Sequence, residues 1–243
     1  TPIGSFSLDD DAGAIAGDET LPNTQTFNFL EPGTYSVTEG AVAGWYLTDL
    51  TCTTGGAQDG TDPYKANITL PAGGNVTCTY TNTKRGSITI VKDAVPDDPQ
   101  DFGYTGTSST DTPIPAFSLD DDADGTLPNT QTFNNLKPGT YSVTESSLSG
   151  WNLTNLTCST GGAQDGTDPY KANITLPAGG SVTCTYTNTK LGSITIVKDA
   201  VPNDTQDFGY TSTASTGTPI GSFSLDDDAG AIAGDETLPN TQT

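Results

Sequence analysis

Histidine and methionine are absent from this 243-residue chain, and its 30 aspartates and glutamates face only 8 lysines and arginines. Without histidine the commonest general base and transition-metal ligand is missing, which puts an enzyme at a disadvantage from the start. A formal net charge of −22 with scattered bases excludes a nucleic-acid-binding protein, because phosphate contact needs clustered lysine and arginine. No window approaches the ~18 consecutive apolar residues of a membrane-spanning helix. The hydrophobic fraction, 32%, lies well below the ~45–50% of ordinary globular domains, so any core is thin. In abundance is threonine, 44 residues, a β-branched type that favours strands. With it come 28 glycines and 16 prolines to punctuate them.

Internal repetition dominates the rest. Gly86-Ser-Ile-Thr-Ile-Val-Lys-Asp93 returns as Gly192-Ser-Ile-Thr-Ile-Val-Lys-Asp199, Cys52 and Cys78 return as Cys158 and Cys184, and residues 55–70 recur unchanged at 161–176, all at a shift of 106. Residues 1–26 are identical to 218–243, the longer shift of 217 arising from extra residues in an acidic loop. A period of this length is that of a whole domain, so the repeats mark tandem domains. The identities map residues 1–85 as a unit lacking its first strands, 86–190 as a complete unit and 191–243 as the first half of another. A chain that starts and stops inside a unit, on the same 26 residues, reads as a window on a longer periodic polymer, the blander alternative being an ordinary fragment boundary.

Within the complete unit, short threonine- and aromatic-rich runs alternate with Gly, Pro and Asp clusters, the pattern of an all-β fold. Strands are expected at 87–92, 101–106, 116–119, 130–136, 139–145, 150–158, 171–176 and 181–189, with turns at Pro138-Gly139, Gly161–Pro169 and Pro177–Gly180. Eight strands in about 106 residues fit a two-sheet β-sandwich or a partly closed barrel. The joints Asn82–Gly86 and Asn188–Gly192 leave almost no free residues between a last strand and the next first one, which favours a stiff rod over beads on a string. Alternation along a strand places Ile88 and Ile90 inward with Lys92 next in register, Tyr141 and Val143 inward with Glu145 next, and Val182, Cys184 and Tyr186 inward with Asn188 next. An amine, a carboxylic acid and a carboxamide thus fall in inward slots, where each alone would be costly to bury.

Several of these runs carry a family resemblance: Ser-Ile-Thr-Ile-Val-Lys, Phe117-Ser-Leu-Asp120, Thr132-Phe-Asn-Asn-Leu-Lys-Pro-Gly-Thr-Tyr-Ser-Val-Thr-Glu145 with Gly150-Trp151, and Thr185-Tyr-Thr-Asn-Thr-Lys190. As a set, along the whole chain, they resemble the prealbumin-like (Cna protein B-type) domains of bacterial pilins and surface adhesins. The resemblance implies tandem Greek-key β-sandwiches of about 106–111 residues. In many members a first-strand lysine attacks a last-strand asparagine, assisted by a glutamate, giving an intramolecular isopeptide bond. By position Lys92 would be the nucleophile, Asn188 the electrophile and Glu145 the proton shuttle, with Glu39, Asn82 and Lys198 as partial sets in the flanking units. The plain alternative is that Lys92 and Asn188 end their strands in solvent, since lysine is rarely fully buried.

Four cysteines, two per unit and 26 apart, with no histidine to complete a zinc site, favour a disulfide in each unit, Cys52 with Cys78 and Cys158 with Cys184, over buried thiols. Asp120, Asp122 and Asp124 followed by Gly125 match the opening of a calcium-binding loop. The match then fails, with Gln131 in the twelfth position, Pro128 interrupting and strands flanking. Asp9 and Asp11 with Asp18 form the corresponding set in the first unit, and acidic turns are also common as plain solvated surface. Calcium is the one cofactor the sequence admits, and none is required. Asn67, Asn75, Asn152, Asn155, Asn173 and Asn203 begin Asn-x-Thr sequons, candidate glycosylation sites if the chain is secreted. Asn152 and Asn173 fall on the solvent side of their strands.

These features describe a structural repeat protein of an extracellular filament or surface stalk, not an enzyme, whose partner is itself through neighbouring repeats or protomers. Strand donation, with residues 191–243 of one chain completing 1–85 of another, is opposed by the two copies of 1–26 that each joint would then hold. The rival class is an adhesin or carbohydrate-binding module using the loops Asp59–Tyr64 and Asp165–Tyr170, with the repeats as spacer. A glycosidase with paired carboxylates is a distant third.

Overall fold

The computed structural model describes residues 3–10, 21–110, 112–122, 124–202, 206–226 and 241–242. Every regular element among them is a strand: Gly33–Thr38 (β1), Trp45–Cys52 (β2), Gly56–Gln58 (β3), Lys65–Leu70 (β4) and Cys78–Lys84 (β5) come first. Then follow Gly86–Val95 (β6), Phe102–Ser108 (β7), Phe117–Leu119 (β8), Thr130–Leu136 (β9), Gly139–Glu145 (β10), Trp151–Cys158 (β11), Gly162–Gln164 (β12), Lys171–Leu176 (β13) and Ser181–Lys190 (β14). Ile196–Val197 (β15), Phe208–Tyr210 (β16), Phe223–Leu225 (β17) and Thr241–Gln242 (β18) close the chain. No helix among the described residues is long and apolar enough to cross a membrane.

Strands β6 to β14 build two sheets, one in the order β12-β13-β10-β7-β8 and the other β11-β14-β6-β9. Their facing sides enclose one core, with Ile88, Ile90, Phe102, Tyr104, Val143, Ile174, Leu176, Val182, Cys184 and Tyr186 among its buried residues. The eight strands expected in this stretch all form. A ninth, β12, lies inside the glycine-rich run read as a turn, because its short backbone pairs with β13 across Gly162–Ile174 and Gln164–Ala172.

Strand β6 alternates strictly, with Gly86, Ile88, Ile90, Lys92 and Ala94 buried and the residues between them half-exposed. It pairs in parallel with β14 over nine residue pairs, Ser87 opposite Ser181 through Val95 opposite Thr189. The first strand of the unit therefore lies beside its last one. A Cβ at Gly86 would come within 2.5 Å of the Gly180 carbonyl oxygen, so only glycine lets β6 start this close to the turn before β14. At Gly106, Ile114 occupies the room a side chain would need, 2.5 Å from the Cβ position, and caps that end of the core.

The preceding strands form a sheet β1-β4-β3 and the pair β2-β5, repeating the registers of β10-β13-β12 and β11-β14. Arg85 is the one residue between β5 and β6. The joint is tied on several sides: Gly179 N donates to Lys84 O (3.0 Å), Ser87 N to Gly180 O (3.0 Å) and Arg85 N to Gly44 O (2.8 Å). The Arg85 guanidinium donates to Asn135 O (3.1 Å) and stacks 4.9 Å from the Tyr46 ring, which the Lys137 ammonium approaches from 5.2 Å. Burial comes from partners and not from sequence alone: Ile88 is fully buried, whereas Ile194, at the same place in the identical octapeptide, is 64% exposed.

Candidate cross-link site

Three strands from the two sheets deliver the site. Lys92 comes from β6, Asn188 from β14 and Glu145 from the end of β10, and each is only 1% exposed. The parallel register sets Lys92 opposite Tyr186, so Asn188, two residues on, is the diagonal same-face neighbour that a long side chain can reach. Glu145 arrives from the opposite sheet, where β10 runs beside β7 and Glu145 pairs with Tyr104.

The polar contacts link all four. Asn188 Nδ2 donates to Glu145 Oε2 (2.9 Å), and the Tyr104 hydroxyl donates to Glu145 Oε1 (2.9 Å). Lys92 Nζ lies 3.8 Å from Glu145 Oε1. It donates to the backbone carbonyls of Asp93 (3.0 Å) and Tyr186 (3.1 Å). Beneath it, 4.0 Å away, lies the face of Phe102, whose ring meets Trp151 edge-on. Tyr186 closes the far side, its hydroxyl on Val143 O (2.7 Å) and its ring edge-on to Tyr104. Asn188 Oδ1 is enclosed and accepts no hydrogen bond.

Burial disfavours the charged form of every titratable group here. It lowers Lys92 to about 8, although Glu145, Asp93 and Asp121 push the other way. It raises Glu145 against the opposing pull of Lys92, Asn188 and Tyr104. Burial, reinforced by the Glu145 carboxylate, drives the Tyr104 phenol well above its usual range, so Tyr104 remains a hydrogen-bond donor. Amine and carboxyl are therefore both moved toward the neutral state, within reach of one carboxamide.

The sequence reading missed Tyr104 and Phe102, although strand alternation in 101–106 puts both on the inward face. In the flanking segments, Asn82 Nδ2 donates to Glu39 Oε1 (2.6 Å) and the Tyr80 hydroxyl to Val37 O (2.8 Å). Lys198 sits 4.1 Å over the Phe208 ring and donates to Asp199 O. No contact among the described residues joins it to Asn82 or Glu39.

Cys158 and Cys184 face each other across the β11–β14 ladder, as Cys52 and Cys78 do across β2–β5. Each pair is bonded, with Cα atoms 4.0 Å apart. The disulfides thus join hydrogen-bonded neighbours within a sheet. Asn75, Asn152 and Asn155 are exposed. Asn67 and Asn173 are exposed too, but their amide nitrogens are held by Asp59 and Asp165 at 2.7 Å. Asp11, Asp18 and Asn203 lie outside the described residues. Asp9 accepts from Leu21 N (3.2 Å), and Asp120, Asp122 and Asp124 converge in one loop.

A first strand parallel to the last, with Lys92, Glu145 and Asn188 converging beneath them, occurs in a sequence whose residues 4–84 and again 88–190 match the prealbumin-like fold domain. The chain belongs to that family. Among solved structures it is similar to a bacterial adhesin from Mobiluncus mulieris containing intramolecular disulfide, isopeptide and ester bond cross-links, at 12% identity and TM-score 0.39 over 51% of this chain and 52% of that one. It is also similar to the TIE protein of Bacillus anthracis, at 14% identity and TM-score 0.35 over 82% of this chain and 33% of that one. A third is the major pilin of Streptococcus pyogenes, at 16% identity and TM-score 0.32 over 67% of this chain and 69% of that one. The chain thus spans about half the length of the adhesin. No curated protein sequence matches it.

Proposed function

We propose that this chain is a load-bearing segment of an extracellular filament or surface stalk, built from the units 1–85, 86–190 and 191–243, in which Lys92 and Asn188 of the complete unit become joined by an isopeptide bond. The observation that carries the reading is the meeting of Lys92, Glu145 and Asn188, each 1% exposed, between the first and last strands. A lysine, a glutamate and an asparagine buried together without a reaction to perform would weaken a core this thin.

The chemistry balances without a co-reactant. Lys92 gives a proton to the Glu145 carboxylate and presents a neutral amine. Its Nζ lone pair forms a bond to Asn188 Cγ, and the Cγ–Nδ2 bond breaks. One further proton passes from Nζ through the Glu145 carboxyl to Nδ2, which leaves as ammonia. Lowering the amine from 10.5 to about 8 raises its neutral fraction at pH 7 roughly 300-fold, to about one molecule in ten. That is ample for a reaction performed once in a domain's life. It is not turnover, so the chain is no enzyme in the usual sense.

The tied joint at Arg85 supports a stiff connection between units. The loops Asp59–Tyr64 and Asp165–Tyr170 direct their polar groups at themselves: Asp165 Oδ1 accepts from Thr167 N, Thr167 Oγ1 and Asp168 N. That favours a structural turn over a ligand contact. Intact-mass measurement tests the reading. The parent should weigh one ammonia less than its sequence, and Lys92→Met, Glu145→Gln and Asn188→Ala should each restore the full mass. An unshifted parent mass eliminates the bond.

A further inference from the structure

The loop between β8 and β9 holds a second buried polar group that the cross-link does not use. Asp120 follows directly on β8 and is 1% exposed. Its Oδ2 accepts from the Thr126 hydroxyl at 3.1 Å, while Oδ1 is enclosed and accepts no hydrogen bond. An enclosed carboxylate oxygen with no donor is costly, and nothing in the cross-link chemistry needs it. The same carboxylate belongs to a cluster in which Asp120, Asp122 and Asp124 each contribute an oxygen within 4.8 Å of the others. Two oxygens bound to one calcium ion at its usual ~2.3–2.6 Å lie at most about 5 Å apart, so the cluster has the dimensions of a single coordination sphere.

We propose that Asp120, Asp122 and Asp124 bind a calcium ion, with the buried carboxylate of Asp120 as its innermost ligand. Oxygen-only donors differ from the cysteine and histidine sets of structural zinc sites and match the hard-oxygen preference of calcium. Three carboxylates drawn from one loop, the Asp120 side chain enclosed, suit calcium's variable, carboxylate-rich shell better than magnesium's rigid, largely hydrated one. The chain offers little positive charge in compensation, with 8 basic residues against 30 acidic ones.

The ion would act on the fold through the intervening residue. Asp121 Oδ2 accepts from Ala94 N (2.8 Å) and Oδ1 from Asn129 Nδ2 (3.2 Å). Asn129 O in turn accepts from Lys92 N (2.8 Å). Fastening the loop therefore fastens the half of β6 that carries Lys92. This site does not depend on the isopeptide bond, and either can fail without the other.

The test is calorimetric titration of the full 243-residue chain, stripped of metal, with calcium, beside the double variant Asp122→Asn/Asp124→Asn. Asp122 is half-buried and Asp124 exposed, and asparagine keeps the oxygens that accept from Asp124 N and Thr126 N, so circular dichroism in chelator should be the same for the two proteins. The parent should bind one more calcium per chain than the variant, or bind it at least ten-fold more tightly, and calcium should raise the melting temperature of the parent's complete unit above the variant's. Comparing the two proteins cancels any binding at the acidic loops of the flanking units. Equal stoichiometry and affinity in parent and variant would overturn the proposal, as would a parent that takes up no calcium at millimolar concentration. Magnesium reproducing the calcium titration would overturn the choice of ion.

Discussion

Pulling the complete unit apart from its two ends loads β6 at Gly86 and β14 at Lys190, and the two strands are parallel neighbours. Tension therefore shears the whole ladder at once. If Lys92 and Asn188 are bonded, force runs along β6 from Gly86 to Lys92, crosses to Asn188 and leaves at Lys190. Everything from Asp93 to Thr187 hangs outside that path. Glu145→Gln keeps the shape of the side chain and an acceptor for the Tyr104 hydroxyl but cannot relay the proton, so the bond should not form and the ladder should shear.

The lengths are fixed by the strand bounds. From Gly86 to Lys190 there are 104 peptide steps, and the Cys158–Cys184 disulfide removes 26 of them. At about 3.5 Å per residue, oxidised Glu145→Gln should extend by about 270 Å less the folded span, and the reduced variant by about 360 Å less the same span, a difference of about 90 Å. The parent should give no extension event of either size, oxidised or reduced. Single-molecule force spectroscopy of the full chain reads this directly, because the flanking segments contribute equally to both proteins. A parent that lengthens by the same increment as oxidised Glu145→Gln while its mass reports the loss of ammonia would refute the force path. A variant that refuses to lengthen would refute the bond as its cause.

Three further outcomes are expected. Replacing both Cys158 and Cys184 by serine should cost about 3–4 kcal/mol in chemical denaturation, the loop-closure value for a 26-residue separation, with no effect on ammonia loss. Tyr104→Phe removes the donor to Glu145 Oε1 and leaves that oxygen buried without one. It should destabilise the unlinked unit by about 1–3 kcal/mol and slow the appearance of the lighter mass after refolding. Asp165→Ala should loosen the loop ahead of β13 at neutral pH, seen as faster amide exchange at Thr167, Asp168 and Asn173. The hydroxyl of Thr167, the amide of Asn173 and two backbone N–H groups hold the Asp165 carboxyl far below the ordinary 3.8. Its contribution is therefore present above that ordinary value and fades as pH falls below it, so parent and variant should converge in acid.

Much of this architecture is legible from alternation alone. The spacing Ile88, Ile90, Lys92 fixes on which face the lysine points, and the same two-residue period places Glu145 after Val143 and Asn188 after Tyr186. Which strand lies beside which is not legible, because pairing is set by tertiary contacts. Only the β7–β10 register brings Tyr104 onto Glu145, and only the parallel β6–β14 register brings Lys92 within a diagonal step of Asn188. Strand β12 hides in a glycine-rich run because three residues are too few to express a period. The contrast between Ile88 and Ile194 marks the same limit: identical residues take opposite exposures according to whether a partner strand and opposing sheet cover them.

The disulfide and the proposed isopeptide would divide the work by where they sit. The disulfide joins β11 to β14, adjacent strands of one sheet, and closes a 26-residue loop that lies wholly between Lys92 and Asn188. It restricts the unfolded chain and so adds thermodynamic stability, but with the isopeptide in place it carries no tension. The proposed isopeptide would join Lys92 and Asn188, 96 residues apart in the chain on strands that are also the unit's entry and exit, so it would take the load and shield the disulfide from it. A domain with the disulfide alone would resist heat yet unravel under force through β6. A domain with the isopeptide alone would hold force yet let its β11 edge fray. A thin-cored sandwich, with few apolar residues to spare, has a physical reason to use both.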